Sequence, residues 1–359
     1  MPSTVTSLSD SIGLYLHIPF CSAICDYCNF NRGLYDENLK QRYVNAIKDE
    51  IERWDDARSV DSIFFGGGTP SLLTASDVSE ILAACRSVFA VGSDVETTLE
   101  MNPESCTQLH VKELLDAGIT RVSLGVQSFL DHELKRLGRA HTVNEARAAI
   151  TAIRSAGCNN LSIDLMLWLP GQTRADCVKS VNEMVRCDPD HASLYMLEIY
   201  PNSPLRDEMA RSGWSLAPDE DASGMYFDAL SVTDNAGYQQ YEISNVARSA
   251  RYSRHNLKYW RYQNWVGFGC GAHSMLDGCR WKNISEITGY IDTIGERGTV
   301  AEGHRNLSAE ELIGEAIFMG LRLNEGIDIH EFGERYGVNL RTRFGSDLKP
   351  YMEQGFLID

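Results

Sequence analysis

The chain has 359 residues, 43% hydrophobic and 23% charged, which is the composition of a soluble globular protein long enough for one large α/β domain and an appendage. Its formal net charge of −17 argues against nucleic-acid binding, which wants a basic stripe, and gives no support to an anionic lipid surface. No apolar run approaches the ~20 residues of a membrane helix, and Met1 to Ser11 is polar with no basic or apolar region, so neither a transmembrane segment nor a secretory signal is expected.

Taken in chain order, apolar β-rich runs fall at 13–18, 61–66, 95–101, 120–126, 160–167 and 191–198. Amphipathic or alanine-rich stretches such as 36–54, 74–90, 142–156 and 173–186 lie between them. This alternation predicts an α/β fold with a parallel sheet, which right-handed crossovers curl into a partial (β/α)6 barrel. Ligands of such sheets bind at the C-terminal ends of the strands. Past residue 200, Pro-Asn-Ser-Pro at 201–204 breaks the pattern. A helix near 219–236, a strand at 238–243, an aromatic-rich stretch at 252–268 and helical stretches at 308–322 and 328–336 follow. The expected organisation is a barrel over 13–200, a smaller α+β extension over 201–300 and a helical C-terminal segment over 301–359.

The loop after the first strand reads Cys-Ser-Ala-Ile-Cys-Asp-Tyr-Cys, placing Cys21, Cys25 and Cys28 in a C-x3-C-x2-C spacing with no fourth cysteine nearby. Three thiolates on one short loop can hold three irons of a [4Fe-4S] cube and leave the fourth open, and an open metal site usually serves chemistry. Two blander readings compete. His17 completes a Cys3His set for zinc, but it sits in a strand rather than the loop, and the two knuckles of a structural zinc site are absent. Ten cysteines also permit disulfides, yet Cys85, Cys106, Cys158, Cys177, Cys187, Cys270 and Cys279 are scattered in apolar or helical contexts and read as packing. Free cysteines and an iron–sulfur cluster both point to a reducing cytoplasm.

The second strand ends in Gly66-Gly67-Gly68-Thr69-Pro70, where backbone can approach a ligand closely and successive N–H groups can face an anion. It lacks the Gly-Lys-Ser/Thr ending of a P-loop. Glu100, Gln127, Arg139 and Asp164 lie at or just beyond later strand ends. Acidic groups there suit ribose hydroxyls or a cationic sulfonium, and Arg139 suits a carboxylate. Each alone could be a solvated loop residue; four at successive strand ends are harder to dismiss.

These features, with Leu-Tyr-Leu-His-Ile-Pro-Phe-Cys (14–21), Phe-Phe-Gly-Gly-Gly-Thr-Pro-Ser (64–71), Ser-Leu-Gly-Val-Gln-Ser-Phe (123–129), Leu-Pro-Gly-Gln-Thr (169–173), Tyr-Glu-Ile-Ser-Asn (241–245) and His-Asn-Leu-Lys-Tyr-Trp (255–260), resemble one family. It is the radical S-adenosylmethionine (SAM) superfamily, in its HemN-like, oxygen-independent coproporphyrinogen oxidase group, and within that the haem-chaperone branch. The resemblance covers residues 13 to about 340. It implies cluster ligation by Cys21, Cys25 and Cys28. It implies SAM contacts by Tyr15, Tyr27, Gly67, Gly68, Thr69, Glu100, Gln127, Arg139 and Asp164.

On the chaperone side, the resemblance implies haem binding near His255 and delivery of haem to haem-requiring respiratory enzymes. A homodimer and transient contact with membrane proteins stay open. Tyr259, Trp260, Tyr262 and Trp265 offer aromatic rings for the porphyrin, with Cys270 and His273 as secondary iron ligands. Against that stands a histidine merely hydrogen-bonded beneath an aromatic cluster. The oxidase reading carries a further cysteine where this chain has Phe30, and a longer N-terminal arm. Another radical SAM enzyme of the group is the third reading. Two departures are visible: Leu167-Trp168 replaces the group's usual Tyr-Gly, which predicts a narrowed cavity, and the chain stops at Asp359, where a winged-helix-like tail is expected to continue.

Overall fold

A computed structural model describes residues 11–201 and 203–358. Residues 1–10, on which the expectation of no signal segment rests, together with Asn202 of the Pro-Asn-Ser-Pro break and the terminal Asp359, lie outside the described residues. The six expected strands form as β1 (Ile12–Ile18), β2 (Ser59–Gly67), β3 (Ala90–Met101), β4 (Arg121–Gln127), β5 (Leu161–Leu167) and β6 (His191–Met196). Their apolar residues are buried on both faces over much of their length, as parallel strands under helices require. Three of the intervening helices start on a threonine capping box, Thr74 with Asp77, Thr142 with Glu145 and Thr173 with Asp176, so each crossover has a fixed starting point.

The extension adds β7 (Gln239–Glu242), β8 (Asn245–Ala247), β9 (Trp265–Phe268), β10 (His273–Leu276), β11 (Cys279–Asn283) and β12 (Ala301–Asn306) to the same sheet. The order is β12-β11-β10-β9-β1-β2-β3-β4-β5-β6-β8-β7. From β9 to β6 every pairing is parallel, while the three strands at one edge and the two at the other run antiparallel. A mostly parallel α/β sheet is therefore the fold, with one parallel strand added to the expected six and five antiparallel strands at its edges. The aromatic stretch at 252–268 divides into a helix, Arg254–Trp260, and β9, which lies alongside β1 as a seventh parallel strand. Four buried residues carry too little periodicity to announce a strand.

One apolar core runs beneath most of the sheet. A second joins Tyr262, Trp265 and Met275 to Ile313, Phe332 and Leu340 of the C-terminal helices. Two of the four aromatics expected to face a porphyrin are thus committed to packing: the Tyr262 hydroxyl donates to Glu315 (2.7 Å) and the Trp265 indole N–H to the His273 carbonyl (3.1 Å).

Candidate functional site

The cysteine loop leaves β1 through Pro19, which ends the strand, and Phe20-Cys21 pairs briefly with Gly33-Leu34. Arg32 bonds back to the carbonyls of Phe30 (2.8 Å) and Cys28, and the Asp26 N–H bonds the Leu137 carbonyl (3.2 Å). The side chain of Asn31 reaches out of the loop to the carbonyls of Cys270 (3.1 Å) and Ser285 (2.8 Å). Gly271 permits this approach, because a Cβ there would lie 2.5 Å from the Asn31 amide nitrogen and its φ is +70°. All three loop cysteines line one cavity of about 610 Å³ at the C-terminal ends of the strands. All ten cysteines are free thiols. His17 stands outside this cavity, its Nδ1 3.1 Å from the Tyr15 hydroxyl and its Nε2 2.8 Å from the Asn31 carbonyl. With both ring nitrogens engaged, it does not complete a Cys3His zinc set.

The glycine run after β2 serves close approach rather than an open cradle of N–H groups. The Gly67 N–H donates to Glu100 (3.0 Å), that of Gly68 to the Ile18 carbonyl (2.8 Å) and that of Thr69 to the Phe20 carbonyl (2.7 Å). A Cβ on Gly68 would lie 2.7 Å from the Phe20 carbonyl and 3.0 Å from the Cys21 sulfur. Gly67 holds a φ of +116°, which a side chain there would strain.

Tyr15, Tyr27, Gly67, Gly68, Thr69, Glu100, Gln127, Arg139 and Asp164 all line the cavity that the cysteines line. Burial, then the Asp164 charge, pushes the Glu100 carboxyl up to about 8. Burial also raises Asp164, which accepts from the Ser123 hydroxyl (3.1 Å). Two carboxyl groups thus share a desolvated wall that favours a cationic neighbour. Arg139 donates through Nη2 to Asn102 (2.9 Å) and the Gly125 carbonyl (2.8 Å), and its Nη1 lies 3.5 Å from the Cys25 sulfur. Its Nε is buried with no partner. A bidentate grip through Nη2 is therefore closed off, and the Nε side of the guanidinium remains. Tyr195 donates to the Gln127 amide (2.7 Å), and Gln127 turns off its strand at a φ of 68°. Asn102, Ser123 and Tyr195 carry no sequence signal beyond their place on or just past a strand end.

The haem expectations fare differently. His255 lines the cavity but is 1% exposed. Its Nδ1 is 3.1 Å from the Ser62 hydroxyl and its Nε2 2.9 Å from the Tyr259 hydroxyl. The ring stacks on Phe64 at 5.3 Å, and a Cβ on Gly13, near the start of β1, would lie 3.0 Å from it. Burial drives its pKa down to about 3, so it is a neutral ring wedged low in the barrel and presents no free nitrogen. Cys270 is fully buried with its thiol pushed up to about 12, and His273 sits on a different surface; neither lines the cavity. Tyr259 and Trp260 do line it. Trp168 does not narrow it, because its indole turns away to donate to the Ala217 carbonyl (2.8 Å).

Comparison with known proteins accords with this geometry. The Radical SAM superfamily pattern matches residues 15–184, and the HemN C-terminal domain pattern matches 307–359. The chain is 35% identical over 347 residues to the heme chaperone HemW of Bacillus subtilis, spanning 96% of this chain and 92% of that protein. It is 36% identical over 331 residues to the heme chaperone HemW of Escherichia coli, spanning 89% and 85% respectively. The fold matches the coproporphyrinogen III oxidase HemN of Escherichia coli with a TM-score of 0.83 over 96% of this chain and 83% of that one, at 22% identity. Among the described residues no helix is long and apolar enough to cross a membrane.

Proposed function

The chain belongs to the HemW family of radical SAM proteins, and on that premise we propose that it is a haem chaperone of the cytoplasm, holding a [4Fe-4S] cluster and SAM and delivering haem to haem-requiring respiratory enzymes. The observation that carries this reading is the convergence of Cys21, Cys25 and Cys28 with Glu100, Arg139 and Asp164 on one cavity. The donor set fits such a group: three thiols of one loop with no fourth, and beside Cys25 a guanidinium with a buried, unpartnered Nε.

In this reading Cys21, Cys25 and Cys28 hold the cluster, and the nine cavity-lining residues from Tyr15 to Asp164 hold SAM. When bound, a cluster of this kind leaves one iron open and supplies an electron there. Arg139 offers its Nε–H to the carboxylate of SAM, and its cation lies beside the thiolates. Glu100 and Asp164 accept from ribose hydroxyls and favour a positive ligand, which in turn favours their ionised forms. Gly68 keeps backbone and sulfur within contact distance. Haem is cargo, and no iron ligation is assigned to His255, whose nitrogens are both engaged. We divide the chain into the barrel at 13–200, the extension at 201–300 and a mainly helical segment at 301–359, whose first six residues form β12 and complete the edge of the extension's sheet.

The test is anaerobic reconstitution followed by parallel addition of haem and coproporphyrinogen. The expected outcome is about one haem per chain with a Soret band and no decarboxylation. Absence of haem binding by protein with an intact cluster sinks the chaperone reading, and clear turnover of coproporphyrinogen replaces it with the oxidase.

A further inference from the structure

The cavity has a second wall, built by the extension, where three buried polar atoms lack partners: Trp260 Nε1, Arg322 Nε and Asn245 Oδ1. Buried polar atoms are nearly always hydrogen-bonded, so three orphans on one cavity wall call for a common explanation. They are neighbours. The Arg322 guanidinium lies 4.2 Å over the Trp260 ring, and its Nη2 meets Glu242 at 3.1 Å. Asn245 pairs with Glu242 across the β7–β8 hairpin. Asn245 is only 4% exposed, so its amide is set into the wall rather than solvated.

We propose that Arg322, Trp260 and Asn245 form a carboxylate-binding subsite for a flat, apolar ligand that carries carboxylate groups. The proposal rests on the haem reading, in which that ligand is haem and the carboxylates are its propionates. Glu242, whose side chain is fully buried and also accepts from the Ser244 N–H (3.0 Å), fixes one end of the guanidinium. The Nε edge of the fork and the indole N–H are then left as donors, the pair a carboxylate accepts from. Amide oxygen and nitrogen interchange by rotation, so Asn245 can present its NH2 to the same anion. The same cavity is also lined by the apolar side chains of Met166, Met196 and Leu197 and by the Tyr259 ring. A ligand with a polar edge and an apolar face matches both features. Glu242 is the counter-ion of Arg322 and carries the same sign as the ligand's carboxylates, as do Glu100, Asp164 and Glu198 elsewhere on the cavity, while Arg121 lines it as a further cation.

The experiment uses the full chain, reconstituted with cluster and SAM, and compares haem with haem dimethyl ester, in which the propionates are capped. Wild type should prefer haem by about ten- to hundredfold, the loss expected for a charge-assisted hydrogen bond. Arg322→Met should bind both forms with similar affinity. Arg322→Lys keeps a cation opposite Glu242 but lacks the planar fork, and should keep only part of the preference. An unchanged preference in Arg322→Met, with iron content and circular dichroism intact, overturns the subsite while leaving haem binding in place. If wild type binds neither haem nor its ester, the haem reading fails, and metal-free protoporphyrin against its dimethyl ester decides the subsite alone. An Arg322-dependent preference for the free acid upholds it, and no preference overturns it.

Discussion

The two walls of the cavity are built on opposite principles. On one wall, Cys21, Cys25 and Cys28 sit within one short loop, Glu100 and Gln127 lie at the ends of β3 and β4, Asp164 lies within β5, and Arg139 was expected at a strand end but follows the helix Asp131–Arg136 instead. There the spacing of residues along the chain already is the arrangement of groups in space. On the extension's wall, Asn245, His255, Trp260 and Arg322 come from a hairpin, a short helix and the end of a later helix, and only tertiary packing makes them neighbours. Local spacing encodes a metal loop; it does not encode whether a histidine's nitrogens are free.

The contrast can be broken most sharply at the cysteines. Anaerobic reconstitution of the wild type should give about four irons per chain; Cys25→Ala should abolish them, while Cys85→Ala, deep in the core, should leave them in place. Iron analysis decides, and retention of iron by Cys25→Ala would remove the loop from the site. The next largest effect is expected on the other wall. His255→Ala deletes a buried ring that bridges Ser62 and Tyr259, and should cost about 2–4 kcal/mol in denaturant unfolding. Its haem complex should keep the wild-type Soret position; a shifted band would restore His255 as the iron ligand.

Asp164→Asn should weaken SAM about ten- to hundredfold by calorimetry with iron content unchanged. Wild-type affinity in that variant would take Asp164 out of the nucleotide site. The smallest effect concerns pH. Burial holds Glu50 at about 7 and Glu100 at about 8, above their ordinary value near 4.5. Between those limits the folded protein binds more protons than the unfolded chain, so its stability falls as pH rises toward 8. Without cluster and SAM the melting temperature should drop by a few degrees from pH 6 to pH 8.5, and Glu100→Gln should flatten part of that slope. A melting temperature that rises with pH over this range would contradict both assignments.

Much of the fold was legible because each of the first six strands is long enough to carry a pattern and each crossover is bounded by turn or cap residues. β9 was not, being four residues inside an aromatic run. The motif around His255 was legible as a motif, but its role was not: whether an imidazole binds iron or plugs a barrel depends on Gly13, Ser62 and Phe64, far away in sequence. Trp168 misled for a similar reason. Its bulk suggested a narrowed cavity, yet the backbone there holds a φ of 62°, the left-handed region that favours the glycine usual in the group, and this turns the indole outward.

The bond from Asn31 to the Cys270 carbonyl spans 239 residues of chain, and β1 likewise borders β9. The cysteine loop leaves the ribosome more than two hundred residues before the turn that receives its asparagine and the strand that flanks its base. Until then the loop is held by its barrel contacts, such as the Asp26 N–H on the Leu137 carbonyl, without the Asn31 anchor. On the proposed function, loading of the metal into its finished site should therefore come late in the life of a nascent chain, and a truncation within the extension should yield a barrel that takes up iron poorly even though all three loop cysteines are present.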